Sequence, residues 1–125
     1  MLICVHLWLQ VFQNHPMSNP KLDVKIEIFA PPEAEAALRE ALAQAGAGVI
    51  GDYDHCVTVT PVKGYFRPLP GSNPYSGTQG EISRVEEVKI EAVCRREQLA
   101  AVDAAVRKAH PYEETVILYL PLIQF

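Results

Sequence analysis

The stretch LDVKIEIFAPPEAEAALREALAQAGAG, residues 22–48, decides the fold because two hydrophobic periods meet in it. From Leu22 to Ile28 apolar residues alternate with charged ones, which is the period of a half-buried strand. After Pro31-Pro32 they recur at three- and four-residue spacing up to Ala45, which predicts an amphipathic helix that stops at Gly46. The domain therefore opens with a strand followed at once by a helix.

Three more strands and a second helix follow along the chain. The strands are predicted from alternating or β-branched stretches, and the helix from apolar residues at helical spacing. They are, in order, the strand Cys56–Val62, the strand Val85–Cys94, the helix Gln98–His110 and the strand Val116–Leu122. The order β-α-β-β-α-β predicts an α+β, ferredoxin-like sandwich, with two helices on one face of an antiparallel sheet.

The other face of that sheet would have no helical layer. The last strand, VILYLPL at residues 116–122, offers apolar side chains to both faces, so something should cover the face without helices. Self-association into a ring is the expected solution. We therefore expect a homo-oligomer, commonly a trimer in this architecture.

The composition and net charge of the chain limit the classes of function that it can have. With 125 residues the chain is large enough for one domain, and 49% hydrophobic and 21% charged residues are typical of a soluble globular protein. A net charge of -4 without a basic stripe argues against binding nucleic acid. The three cysteines cannot all pair and show no C-x-x-C spacing, which favours reduced thiols in the cytoplasm.

The N-terminal stretch needs a separate interpretation. Met1–Phe12 is apolar but well short of the roughly 20 residues that span a bilayer, so no membrane partner is expected. A polar, proline-punctuated segment follows it. Residues 1–20 are predicted to be an appendage, with Met17 a plausible initiator, and residues 21–125 the domain. The alternative is an amphipathic segment that packs on the domain or on a partner.

The stretch Gly64–Gly80, GYFRPLPGSNPYSGTQG, is predicted to be a long loop between the second and third strands. Loops of this length are usually functional or mobile. Tyr65, Phe66 and Tyr75 together with Arg67 could stack on and clamp an anionic or aromatic ligand. The alternative is that these aromatic residues only pin the loop to its own subunit or to a neighbour. The glycine spacing matches no nucleotide-binding motif.

Two polar clusters are candidate metal sites. His55 and Cys56 begin the second strand, near the predicted position of Cys94, and could bind a soft metal. Cysteines with a purely structural role are the alternative. His110, with Glu113 and Glu114, could hold a divalent metal after the second helix.

For this second cluster a structural hinge is the alternative, with His110 capping carbonyl groups and the glutamates solvated. Tyr112 lies in the same turn and is a candidate ligand-binding residue. So is Glu86, which alternation places on the face of Val88 and Ile90, where it needs a partner or an exposed strand end. No Ser-His-Asp or H-E-x-x-H arrangement can be assembled, so no catalytic residue is assigned.

Several segments, in order, resemble a known family. They are Gly46–Cys56, Gly64–Pro68, Gly71–Gly77, Val85–Glu91 and His110–Glu114. They resemble the PII/CutA-like domain inserted in Nif-three-like, YqfO-type proteins, over roughly residues 22–122, and small free-standing versions of that domain also exist. The resemblance implies a ferredoxin-like fold and trimeric association. Full-length relatives are dinuclear-metal proteins, sometimes labelled GTP cyclohydrolase homologues, whose metal ligands lie in two flanking halves. The resemblance therefore lowers the expectation of enzyme activity.

Three hypotheses for the function follow. The preferred one is an oligomeric binding or regulatory module, whose long loop and His110 cluster receive a small ligand, a divalent metal or a protein partner. The second is a structural assembly domain without a ligand. The third is a metal-dependent hydrolase.

Overall fold

The computed structural model describes residues 21–123. Its elements are β1 (Val24–Ala30), α1 (Glu35–Gln44), β2 (Thr58–Phe66), β3 (Ser83–Cys94), α2 (Leu99–Ala109) and β4 (Val116–Pro121). The four strands form one antiparallel sheet in the order β2-β3-β1-β4. This confirms the predicted α+β, ferredoxin-like order of elements.

A single core joins both helices to one face of the sheet. Every second residue of β1 is buried, as the alternation in the sequence predicts, and Ile26 and Ile28 have no exposed surface. Leu38 of α1 and Val102 and Val106 of α2 lie in the same buried cluster. Each such side chain contributes about 1.5–3 kcal/mol through burial. Both helices therefore pack on the same face, as expected.

The bounds of β2 differ from the prediction. Gly48 donates its backbone N–H to Val93 O and accepts a hydrogen bond from Cys56 N–H, so residues 46–56 form a separate turn and β2 starts only at Thr58. At the other end the strand continues through Phe66, because Gly64–Phe66 pair with Ser83–Val85. The connecting loop is correspondingly shorter, at residues 67–82.

Smaller differences concern single residues. Ala37 belongs to the predicted apolar stripe of the first helix but is exposed, so the buried stripe is narrower than expected. Pro61 lies within β2, which is an edge strand, and this agrees with the sequence rule for proline in sheets. Residues 1–20, predicted to be an appendage, lie outside the described residues.

The face of the sheet opposite the helices, called the open face below, is divided into apolar and charged parts. Val116, Leu118 and Leu120 on edge strand β4 are 48%, 46% and 38% exposed. The middle of the face carries charged residues instead: Lys25 and Glu27 on β1, and Lys89 and Glu91 on β3. The apolar character expected of this face is thus concentrated at the β4 edge.

Among residues 21–123, none of the helices combines the length and the apolar character needed to cross a membrane.

Candidate functional site

Several signature segments of the sequence meet at one end of the sheet, where β1 ends and β4 begins. The residue at their centre is Tyr112, in the turn between α2 and β4. We call it, with its four neighbours, the Tyr112 cluster: Glu33, Tyr75, Glu87, His110 and Tyr112. The long loop, the start of β3 and the turn after α2 each contribute to it.

His110 connects the cluster to the sheet. Its side chain is buried, with only 7% of the residue exposed. Its Nε2 lies 2.7 Å from Phe29 O at the end of β1, and its Nδ1 accepts a hydrogen bond from the Tyr112 backbone N–H at 3.2 Å. An Nδ1 that accepts this bond leaves the proton on Nε2, which donates to the carbonyl group. Both ring nitrogens are therefore engaged in hydrogen bonds within the chain.

The phenol of Tyr112 is held by a carboxylate. Its OH donates to Glu87 Oε2 at 2.9 Å, and its ring lies tilted against the His110 ring at a centroid distance of 5.0 Å. Burial first, and then the bond to Glu87, raise the pKa of Tyr112 above its ordinary value. Gly64 leaves room for this carboxylate, because a Cβ at that position would lie 1.8 Å from Glu87 Oε1.

The loop of residues 67–82 is attached to the same cluster. Tyr75 donates its OH to Glu33 Oε1 at 2.6 Å, and its ring centroid lies 5.6 Å from that of Tyr112. This hydrogen bond lowers the pKa of Glu33 and raises that of Tyr75. Asn73 N–H donates to Glu113 Oε2 at 3.0 Å. These contacts pin the loop to its own subunit.

The six predicted ligand-binding residues do not gather in one place. Tyr75 and Tyr112 lie together in the cluster, and the ring of Phe66 lies under Gly77 of the loop. The other three, Tyr65, Arg67 and Glu86, are exposed. Glu86 pairs with Arg84, at 3.1 Å between carboxylate and guanidinium, which supplies the partner that the sequence suggested it needs.

His55 and Cys56 lie in the turn before β2. His55 has a φ of 57°, and its ring nitrogens lie 3.0 Å from Asp54 Oδ1 and 3.4 Å from Glu40 Oε2. The Asp54 carboxylate is the main reason why the pKa of His55 is raised. The Cys56 thiol lies 3.6 Å from the Asp54 carbonyl oxygen, while Cys94 is fully buried, and burial raises the pKa of its thiol.

Within residues 21–123, no group of three or more His, Cys, Asp and Glu side chains is arranged to hold a metal ion. The metal roles of the two histidine clusters, His55 with Cys56 and His110 with Glu113 and Glu114, stay predictions. The described geometry assigns His110 to internal hydrogen bonds instead.

A cavity at the opposite end of the open face was missed by the sequence reasoning. It has a volume of about 280 Å³. Its lining residues are Lys25, Ile50, Cys56, Val57, Thr58, Glu91, Ala92 and Val93. The alternation of β3 places Val93 on the open face, but the cavity also needs the turn before β2, which no sequence pattern located.

Known proteins are similar to this chain in sequence and in fold. No family model matches the chain. The GTP cyclohydrolase 1 type 2 homolog of Halalkalibacterium halodurans is 43% identical over 98 residues, which are 78% of this chain and 26% of that protein. The same-named protein of Bacillus subtilis is 41% identical over 100 residues, 80% of this chain and 27% of its own length. The chain thus spans about a quarter of the length of these curated relatives.

A solved Bacillus cereus protein related to NIF3 superposes with a TM-score of 0.72 and 35% identity, over 85% of this chain and 28% of that one. This chain is homologous to the PII/CutA-like domain of NIF3-family proteins. The CutA protein of Archaeoglobus fulgidus superposes on this chain with a TM-score of 0.60 at 23% identity, over 82% of this chain and 85% of CutA. That likeness concerns the fold alone, and it confirms the predicted CutA type of sandwich.

The Tyr112 hydrogen bond has a consequence for stability at alkaline pH. An unfolded tyrosine has a pKa of about 10, so a raised pKa in the folded state means that the folded chain holds this proton more tightly. The resulting stabilisation is complete below about pH 10 and is lost as the pH rises further. We expect the melting temperature to fall less steeply above about pH 10 in Tyr112→Phe than in wild type, and to an intermediate degree in Glu87→Gln. Equal slopes in thermal melts of the three proteins would contradict this role of Tyr112.

Proposed function

We propose that this NIF3-related domain is an oligomeric binding or regulatory module, a trimer that assembles through the open face of its sheet. The observation that carries the proposal is the apolar row on β4. Val116, Leu118 and Leu120 project from one side of an edge strand and are between 38% and 48% exposed. Contiguous exposed apolar side chains mark interaction surfaces. The backbone N–H and C=O groups of an edge strand can also pair with another chain, which favours association at β4.

The charges on the open face are compatible with burial in an interface. Glu27 and Glu91 lie directly opposite each other on neighbouring strands, and two lysines neutralise them. Lys25 bonds Glu91 at 2.5 Å, and Lys89 lies 3.5 Å from Glu91 and 3.6 Å from Glu27. The bond from Lys25 is the main reason why the pKa of Glu91 is lowered. Charges that are already paired lose less solvation energy when a partner covers them.

A projecting arm offers more contact area. β3 pairs with β1 only over Val88–Cys94, whereas its first residues, Ser83–Glu87, pair with β2 alone. The two-stranded arm carries Tyr65 on β2, 66% exposed, and Ile82 just before β3, 76% exposed. Isolated two-stranded hairpins are marginally stable, so contact with another copy would stabilise the arm.

A small ligand belongs to the same proposal. It would be received beside the arm, where Tyr65 and Arg67 are exposed and not engaged by the cluster. The cytoplasm is the proposed compartment, in keeping with the two free thiols of Cys56 and Cys94.

An assembly domain without a ligand is the second candidate. The Tyr112 cluster favours this candidate, because the hydroxyl groups of Tyr75 and Tyr112 donate hydrogen bonds to carboxylates of their own chain. The cluster would then serve to hold the loop and the arm in place for assembly. No cyclohydrolase activity is proposed, since the relatives that carry that name are matched over about a quarter of their length.

A single charge placed in the apolar row tests the proposal. In Leu118→Glu the carboxylate would have to be desolvated in the interface, so we expect a monomer where wild type is a trimer. Light scattering during size-exclusion chromatography at micromolar concentration gives the masses. Ala104→Glu adds the same charge at an exposed position of α2 and should leave the trimer intact. An unchanged mass in Leu118→Glu would refute assembly through this face.

A further inference from the structure

We propose that the cavity of about 280 Å³ is a docking site for the N-terminal segment of the same chain, with the indole of Trp8 as its occupant. This segment, residues 1–20, precedes the described residues 21–123. The inference goes beyond the proposed function, because it assigns a place to the segment and holds for one copy of the chain as well as for an assembly.

The cavity offers apolar surface and charges that already have partners. Ile50, Val57 and Val93 line it, and so do Lys25 and Glu91, which form an ion pair with each other. Ile50 is 48% exposed, so the described residues leave apolar surface of the cavity in contact with water. Burial of apolar surface contributes about 25 cal/mol per Å², and paired charges lose less solvation energy than free ones when they are covered. The cavity therefore favours an apolar, uncharged occupant.

The N-terminal segment has this composition. Residues 1–20 contain no Asp, Glu, Lys or Arg, and the first charged side chain of the protein belongs to Lys21. Within Met1–Phe12, all residues except His6 and Gln10 are hydrophobic. Such a segment gains free energy when it leaves water for an apolar surface, and no charged side chain has to be desolvated.

Trp8 is the side chain of this segment that matches the cavity in size. An engineered apolar cavity of ~150 Å³ takes up a benzene ring. An indole is half as large again and needs roughly 225 Å³ on the same scale. The cavity of about 280 Å³ has room for it. The indole N–H also needs an acceptor when it is buried, and the Thr58 hydroxyl and the Glu91 carboxylate line the same cavity.

The chain enters the sheet close to the cavity. Asp23 N–H donates to Cys94 O at 3.2 Å, and Asp23 O accepts from Leu122 N–H at 3.0 Å, so Asp23 is fixed where β3 and β4 end. Lys25, two residues later, lines the cavity. Lys21 therefore lies at most about 14 Å from Lys25, the length of four extended residues.

The tether is long enough for Trp8 to return to the cavity. Trp8 stands 13 positions before Lys21, and an extended chain of that length spans up to about 43–47 Å. This is about three times the distance to be covered, and Pro16 and Pro20 within the polar stretch 13–20 favour turns. A short flexible tether gives an effective concentration on the order of mM, which favours the segment of the same chain over that of another copy.

Tryptophan fluorescence reports on this contact, because Trp8 is the only tryptophan in the sequence. In the full-length chain its emission maximum should lie at shorter wavelength than in the urea-unfolded chain, and iodide should quench it less. Ile50→Glu places a carboxylate in the cavity and should shift the emission to the wavelength of the unfolded chain. Ile82→Glu makes the same substitution at an exposed isoleucine before β3 and should keep the wild-type emission. If circular dichroism shows that Ile50→Glu does not fold, Thr58→Arg takes its place.

Each of the following results would overturn the docking. Wild-type emission at the wavelength of the unfolded chain would mean that Trp8 stays in water. An emission that neither Ile50→Glu nor Thr58→Arg changes would place Trp8 on another surface. An emission that moves to longer wavelength on dilution, or in Leu118→Glu, would place it on a second copy. The mass of the wild type tests the proposed assembly by itself, so either proposal can fail while the other stands.

The reactivity of Cys56 provides a second measurement. Cys56 lines the cavity, whereas Cys94 is fully buried, so Cys56 is the reactive thiol of a Cys4→Ser chain. In that background a maleimide should alkylate Cys56 faster when Trp8→Ala is added, because the thiol loses its cover. Trp8→Phe keeps an aromatic ring and should give an intermediate rate. Equal rates in the three chains would overturn the docking.

Discussion

Gly48→Ala is expected to lower the free energy of unfolding by about 2–5 kcal/mol, which corresponds to a fall in melting temperature of roughly 10–20 °C or more. Gly48 has a φ of +77°, where a residue with a Cβ is strained by about 1–2 kcal/mol. The added Cβ would also lie 2.8 Å from Cys56 O and 3.1 Å from Cys56 N. Both are backbone atoms, so the turn before β2 would have to move.

That turn depends on Gly48 for its position. Gly48 joins β3 through the bond to Val93 O and accepts the bond from Cys56 N–H, each at 2.9 Å. Gly80→Ala is the matched control, because Gly80 has a similar φ of +83° but open space around its Cβ position. It should cost only the conformational strain, about 1–2 kcal/mol. Equal losses in thermal or urea unfolding of the two variants would contradict a steric role for Gly48.

His110→Ala is expected to lower the free energy of unfolding by about 2–4 kcal/mol. The change leaves Phe29 O and the Tyr112 N–H without their bonds, and an unsatisfied buried group costs about 1–3 kcal/mol. It also removes a ring packed at 5.0 Å from that of Tyr112. Urea unfolding followed by tyrosine fluorescence measures the loss.

Two comparisons sharpen this experiment. His110→Gln keeps a side-chain N–H that can donate to Phe29 O and should recover part of the loss, whereas Lys108→Ala, at an exposed position of α2, should change stability little. A loss below about 0.5 kcal/mol in His110→Ala would contradict the structural role. A rise in the melting temperature of wild type with added divalent cation, absent in His110→Ala, would instead support the predicted metal role.

The fold could be predicted where one face of an element is buried and the other is not. The alternation of β1 and the helical spacing of apolar residues in α2 both follow burial, and Ile26, Ile28, Val102 and Val106, which carry these patterns, are fully buried. The start of β2 could not be predicted, because Cys56 and Val57 look like strand residues. A tertiary contact, from Gly48 to Val93 O, takes the place beside β3 that they would occupy.

The sequence predicted the position of the candidate site, but it did not predict which groups its side chains bind. Glycine, proline and aromatic residues indicated the loop, and His110 with Glu113 and Glu114 indicated the turn around Tyr112. The structure brings the loop and the turn to one end of the sheet. The partners are distant in sequence, as in the bond from Tyr75 to Glu33 across 42 residues, and no local pattern encodes them. Carboxylates that looked available for a ligand are therefore used as acceptors within the chain.

The mass of the wild-type chain in solution tests the central claim most directly. Sedimentation equilibrium over a dilution series should give three times the chain mass at micromolar concentration, with dissociation only on strong dilution. One chain mass throughout the series would mean that the β4 row and the paired charges stay in water, and assembly through the open face would be excluded.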